Sequence, residues 1–381
     1  MPETPMSETD DFFRPPTLGP DARPGYLVRV RPVFCPQLTA AAGAWQFVYV
    51  TSNPRGEAVP ASGIVLIPET IPEPGSAAIL LYCTEFRGLG GLCAPSQLLA
   101  VGSEPDPGGI EAALRRGWVV AIPDGEGLGL SGTGPHTFLA ARNGARHLLD
   151  LARAVYWGSD LDIPVAPVVA WGYGDGGRVV AAAGELHPWY APEIDLRGVA
   201  AGAVVSDLAA LAPSITRSAG LGLAAVAGLA AAYDQIPLRH VLTEDGTRVL
   251  AQAATLTGPE LAQRFPEPLA RWCRREDPWN EHWWRRVLGL ETLAHTAPPM
   301  PLHLYHGSID GLVPPHSGRR TLIAYRQRGT EVTWREYDAG HADTAVAATT
   351  DVLARLGENL TRTPPATTTP TLPSVHGAAG P

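Results

Sequence analysis

Four short, unbroken apolar runs constrain this chain more than any other feature: Ala77–Tyr82, Trp118–Pro123, Val165–Trp171 and Leu302–His306. A strand with one wet face alternates apolar and polar residues, whereas a strand covered on both faces is apolar throughout. Segments of helical character separate the runs: Gly108–Arg116, Arg142–Trp157 and Gly176–Glu185. Strand, helix and strand in succession give a mostly parallel central sheet, flanked by helices and joined by right-handed crossovers. The fold class is therefore α/β. Ahead of these runs, Leu27–Val33 reads as a strand. Trp45–Thr51 and Gly63–Pro68 flank an Asn53-Pro54-Arg55-Gly56 turn, which predicts a hairpin.

Residues 207–299 break the rhythm, being mainly helical with no apolar strand and holding Trp272, Trp279, Trp283 and Trp284. They read as a helical cap inserted between two parts of one core, residues 27–206 and 300–361. The strand pattern resumes at Leu302 and again over Glu331–Tyr337. Residues 1–26 form an N-terminal arm. The Thr/Pro-rich tail, residues 362–381, cannot bury a core and is expected to be disordered. The longest apolar stretch, Ala219–Tyr233, is too short to span a bilayer and reads as a buried helix.

Composition removes several classes of function. The 381 residues carry a net charge of −9 and contain no lysine, so arginine supplies every fixed cation. Schiff-base chemistry and a phosphate-binding P-loop both need a lysine. Nucleic-acid binding needs a basic face that an acidic chain with scattered arginines does not offer. The N-terminus shows no basic segment followed by an apolar one, which sets the expectation of a cytoplasmic or processed protein. Cys35, Cys83, Cys93 and Cys273 have no CxxC or Cys/His spacing, so no metal is expected, and no motif calls for a cofactor.

The chemistry concentrates in three places. Gly172-Tyr173-Gly174-Asp175-Gly176 follows a buried run and opens a helix, the context of a G-x-S-x-G nucleophile elbow, yet its centre is Gly174. Taken alone, the same glycine-rich turn equally fits a phosphate cradle. Two later segments decide between them. Asp310 lies in a loop just after one apolar run, and His341 lies just after the next strand. Elbow, acid and histidine in that order match the α/β-hydrolase triad, and Asp310 and His341 are expected to be hydrogen-bonded.

With these residues in view, the sequence resembles the secretory lipase family, which includes the fungal lipase A type and many actinobacterial lipases. The resemblance runs over roughly residues 11–360. It is carried by Tyr82-Cys83-Thr84 with Cys93-Ala94-Pro95-Ser96, by Pro123-Asp124-Gly125-Glu126-Gly127, and by the elbow. His187–Glu193 with Gly198–Gly202, and then the Asp310 and His341 segments, complete it. The resemblance implies an α/β-hydrolase fold in which Asp310 orients His341, and His341 acts as general base and acid. It places Asp124 and the backbone of Asp175 at the oxyanion hole. It also makes Cys93 and Cys273 a candidate disulfide, against the plain reading of two buried thiols. Tyr82, Cys83, Thr84, Tyr173, Trp279 and Trp283 are the candidate pocket residues, although the tryptophans equally fit simple packing of the cap.

Two departures stand out. Gly174 has no side chain and cannot form an acyl-enzyme, and Asp175 sets a carboxyl group where negative charge would develop. Cys83, Asp175 and Ser308 are weaker candidates for a replacement nucleophile: a core thiol, a residue one place late, and a loop-shaping hydroxyl. Three readings follow. The first is an enzyme that uses the His341–Asp310 dyad as general base on an apolar acyl or carbonyl substrate. The second is an inactive, ligand-binding relative of the lipases. The third is a serine-to-glycine variant of an ordinary carboxylester hydrolase.

Overall fold

The computed structural model describes residues 11–70, 77–90, 93–157, 161, 163, 165–217 and 219–362. Most of the Thr/Pro-rich tail, from residue 363, lies outside the described residues, as do residues 1–10 of the arm. A nine-stranded sheet organises the rest: β1 (Leu27–Val33), β2 (Ala41–Ser52), β3 (Ala58–Pro68), β4 (Ala78–Cys83), β5 (Trp118–Pro123), β6 (Val168–Tyr173), β7 (Leu196–Gly202), β8 (Leu302–Gly307) and β9 (Val332–Tyr337). The spatial order is β1-β2-β3-β5-β4-β6-β7-β8-β9. The first three strands are antiparallel, β3 meets β5 antiparallel, and every pairing from β5 to β9 is parallel.

The apolar runs form central strands because both of their faces are covered. In β4, Ile79, Leu81 and Cys83 enter one core cluster, while Ala78, Leu80 and Tyr82 enter the other. The first cluster lies under α3 (Ala141–Trp157) and α4 (Asp175–Tyr190). The second takes in α1 (Pro95–Ala100), α2 (Gly108–Leu114), the C-terminal helix Thr349–Thr361 and much of the segment between β7 and β8. The hairpin turn closes as expected, with Asn53 Oδ1 accepting from Arg55 N and Glu57 N at 3.0 Å each.

One strand was invisible to pattern reading. β7 is built from Leu-Arg-Gly-Val-Ala-Ala-Gly, a run too small and too glycine-rich to signal a strand by itself. Parallel pairing with β6 on one side and β8 on the other makes it one. Between β7 and β8 the chain is built of helices and turns, including α5 (Leu208–Ile215) and α6 (Ala219–Ala232). No helix among the described residues is long and apolar enough to cross a membrane.

The candidate disulfide is not formed, and all four cysteines are free and buried. Cys93 packs with Ala94 and Leu128, whereas Cys273 sits in the larger core and bridges to Leu242, so the two thiols belong to different clusters.

Leu80 is fully buried at the centre of the sheet. Replacing it with alanine is expected to cost about 2–5 kcal/mol through lost burial and the cavity left behind. Denaturant unfolding checks this: the midpoint falls while its slope stays constant.

Candidate active site

The elbow is set by backbone crowding. β6 ends at Tyr173 and α4 begins at Asp175, so Gly174 alone makes the turn, at φ 56° and ψ −119°. A β-carbon on Gly172 would lie 2.3 Å from the Gly176 carbonyl oxygen, and one on Gly176 would lie 2.3 Å from that of Cys83. Glycine at both positions is what lets strand, helix and the end of β4 meet here. The first turn of α4 directs its free N–H groups to the same place.

Loops after β8 and β9 bring Asp310 and His341 together. His341 Nδ1–H donates to Asp310 Oδ2 at 2.6 Å. The other carboxylate oxygen, Oδ1, accepts from Leu312 N at 2.9 Å and Val313 N at 2.8 Å. Burial works against the charge on Asp310, but the bond and charge of His341 and the two backbone donors bring its pKa below the ordinary value. Tyr173 holds the histidine from below, its hydroxyl donating to His341 O at 2.8 Å and its ring centroid 4.9 Å from the imidazole.

The third member of the row is Glu85, in the loop after β4. His341 Nε2–H donates to Glu85 Oε1 at 2.8 Å. A β-carbon on Gly174 would stand 2.8 Å from that same oxygen. The glutamate carboxylate therefore occupies the space that a serine side chain on the elbow would need. An ionised carboxylate only accepts hydrogen bonds, so an imidazole bonded to one at each nitrogen carries both protons and is cationic. Burial opposes that charge, yet the hydrogen bonds and charges of Asp310 and Glu85 prevail and push the His341 pKa up to about 9.

Glu85 escaped the reading of the sequence, which stopped at Thr84. Its signal was a charged residue just past the C-terminal end of a buried parallel strand, the crevice where open α/β sheets place their ligands. Its loop is firmly held. Arg87 Nε pairs with the buried Glu104 at 3.0 Å, Leu89 N donates to Leu256 O at 2.9 Å, and Gly258 N donates to Arg87 O at 2.8 Å. The last two bonds tie the loop to the helical insertion.

A cavity of about 50 Å³ lies beside the row, lined by Cys83, Thr84, Glu85, Asp124, His147 and Asp175 among others. Asp124 is buried and accepts from Ser62 Oγ at 2.6 Å, Ser96 N at 2.8 Å and Ser96 Oγ at 2.7 Å. Burial raises its pKa against these donors. Asp175 is pushed up to about 7, chiefly by burial, which outweighs Arg178 and the Leu139 N–H and is reinforced by Glu291 and Glu85. The carboxyl after the elbow is thus shifted towards its neutral form, which softens its opposition to negative charge. Cys83 lines the cavity as a buried thiol whose pKa is raised by burial and by Asp175.

The remaining candidates lie elsewhere. Tyr82 packs edge-on against Trp171 in the core, at 5.2 Å between centroids. Trp279 is buried against Trp284, and Trp283 is largely exposed on a surface cleft with Arg239 and Arg274. Neither tryptophan lines the cavity beside Glu85, and packing of the insertion accounts for Trp279. Ser308 donates to Asp338 at 3.2 Å and shapes its loop.

Because the folded pKa of His341 lies above the ordinary 6.5, its stabilising contribution is complete below about pH 6.5 and is lost as pH rises through about 9. Imidazole NMR titration should therefore show His341 titrating near 9 and falling towards the ordinary value in Glu85→Gln. Thermal melting should fall more steeply between about pH 7 and pH 10 in the parent than in that variant.

Comparison with known proteins bears on the fold and the family. Residues 93–366 match the model of the secretory lipase family. A protein named probable inactive lipase from Mycobacterium tuberculosis is 27% identical over 355 residues, spanning 87% of this chain and 77% of that protein. A secreted triacylglycerol lipase of Malassezia furfur is 27% identical over 363 residues, spanning 88% of this chain and 72% of the lipase. Among solved structures, Candida antarctica lipase A in its closed state superposes with a TM-score of 0.81 at 22% identity, covering 92% of this chain and 85% of the lipase. With the strand order, the elbow and the family match in agreement, this chain belongs to the secretory lipase family and has the α/β-hydrolase fold.

Proposed function

We propose that this chain is a lipase-fold protein that has exchanged acyl-serine chemistry for a carboxylate–imidazolium–carboxylate site, and that it does not turn over ordinary esters. The observation that carries this reading is Glu85 Oε1, 2.8 Å from His341 Nε2 and in the space beside the bare Gly174. The relative named as an inactive lipase supports the loss of ordinary lipase activity. The relatives named as triacylglycerol lipases support an apolar acyl or carbonyl compound as the ligand class.

The dyad read from the sequence as a general base takes on a narrower role. His341 accepts a proton only when Glu85 leaves Nε2 or loses its charge, because a protonated imidazole has no lone pair to offer. On the Glu85 side of the row, the cavity of about 50 Å³ takes water-sized groups and not an acyl chain. A larger ligand requires the insertion to shift, and the insertion is hydrogen-bonded to the loop that carries Glu85. The relatives named as secreted lipases support a location outside the cell.

Hydrolysis of p-nitrophenyl butyrate and octanoate tests this function. The parent should be inert, and Gly174→Ser alone should stay inert because the new side chain meets Glu85. Gly174→Ser with Glu85→Gly frees Nε2 for the hydroxyl and should gain about 10²-fold or more over either single variant. Adding His341→Ala should remove that gain. Ester turnover by the parent would overturn the proposal.

A further inference from the structure

We infer that Glu85 is a nucleophile, and that this site hydrolyses small alkyl electrophiles through an ester formed on its carboxylate. The inference rests on the reading of the site as a carboxylate–imidazolium–carboxylate row and adds to it a covalent step and a second substrate class, distinct from acyl and carbonyl compounds. The geometry supplies three elements. Glu85 binds His341 through Oε1 only; Oε2 has no hydrogen-bond partner among the described residues, and the side chain is 29% exposed. The elbow keeps the φ 56° backbone of a nucleophile turn while carrying no side chain, so the space over it belongs to the carboxylate. Asp310, fixed by two backbone N–H groups, holds the imidazole in one orientation.

A carboxylate attacks a saturated carbon that bears a leaving group, and it needs no oxyanion hole to do so. In the first step Glu85 Oε2 forms a C–O bond to that carbon, the bond to the leaving group breaks, and a halide departs with the electron pair. Glu85 is now a neutral ester. Its charge was one of the two that keep His341 protonated, so forming the ester lets the imidazole release its proton to solvent. In the second step neutral Nε2 takes a proton from water, and the hydroxide adds to the Glu85 carbonyl carbon. The new imidazolium N–H faces the oxyanion on Oε1, and Asp310 stabilises its charge. Collapse breaks the bond between the carbonyl carbon and the alkyl oxygen, the alcohol takes the proton from His341, and the carboxylic acid left on Glu85 passes its proton to the neutral imidazole, which restores the carboxylate and the imidazolium. The sum is alkyl halide plus water giving alcohol, halide and a proton. The charge of Glu85 thus holds the base in reserve until the first bond has formed.

The four cysteines do not compete well for such a probe. All are buried; burial raises the thiols of Cys35, Cys93 and Cys273 to about 11 and that of Cys83 further still.

The test uses bromomethane, the smallest alkyl bromide, with the full chain. The His341→Gln variant, which lacks the base for the second step, should gain one methyl group per chain on Glu85, mapped by peptide mass spectrometry. Adding Glu85→Gln should abolish that adduct. The parent should release bromide continuously, at a rate about 10²-fold or more above either variant. A single turnover of the parent in heavy-oxygen water should leave the label in the Glu85 carboxylate and not in the methanol. Circular dichroism establishes that each variant is folded. The inference is overturned if folded His341→Gln carries no methyl on Glu85, if methylation is unchanged by Glu85→Gln, or if the first methanol formed carries the label. These outcomes leave the ester assays on the Gly174 variants untouched, so either reading can fail without the other.

Discussion

The molecule turns on one close approach of backbones. Strand β6 reverses into helix α4 through Gly174, with Gly172, Gly176 and the end of β4 packed too tightly for any side chain. That contact fixes the helix N-terminus over the crevice and sets the Glu85 loop beside it. Parallel pairing of β7, β8 and β9 then brings the loops with Asp310 and His341 to the same end of the sheet. An acyl-enzyme needs the strained turn to present a hydroxyl; here the turn persists and the hydroxyl does not. The scaffold that positions the site is therefore separable from the group that reacts there.

Electrostatics then decides what the site is. Two carboxylates bracket one imidazole and keep it charged, in contrast to the serine triad, where the outer nitrogen is neutral and poised to take a proton. Asp310 is anchored by backbone donors and cannot easily leave. Glu85 has one free oxygen and partial contact with solvent, so it is the movable partner. Its loop shares backbone hydrogen bonds with residues 256–258, so the segment that carries Glu85 is tied to the helical insertion.

The carboxyl after the elbow fits the same picture. Burial, reinforced by Glu291 and Glu85, pushes the Asp175 pKa up to about 7 and so towards its neutral form, which lessens the charge set beside Glu85 at the helix N-terminus.

Much of this was legible in the sequence, for local reasons. Unbroken apolar runs announce strands covered on both faces, and β4, β5, β6 and β8 lie within a few residues of the runs that marked them. The order of elbow, aspartate and histidine announced which side chains would meet, since each follows a strand of one parallel sheet. β7 stayed hidden because its small residues become a strand only through their neighbours. The pairing suggested for Cys93 and Cys273 failed because it depends on where the insertion packs. Glu85 could not be assigned from the chain because its meaning lies in a distance to a residue 256 positions away. The sequence by itself determined the fold and the absence of a serine, since both are written in local pattern. Only the tertiary structure decided what fills the space over Gly174, because no local pattern records which loop folds across it.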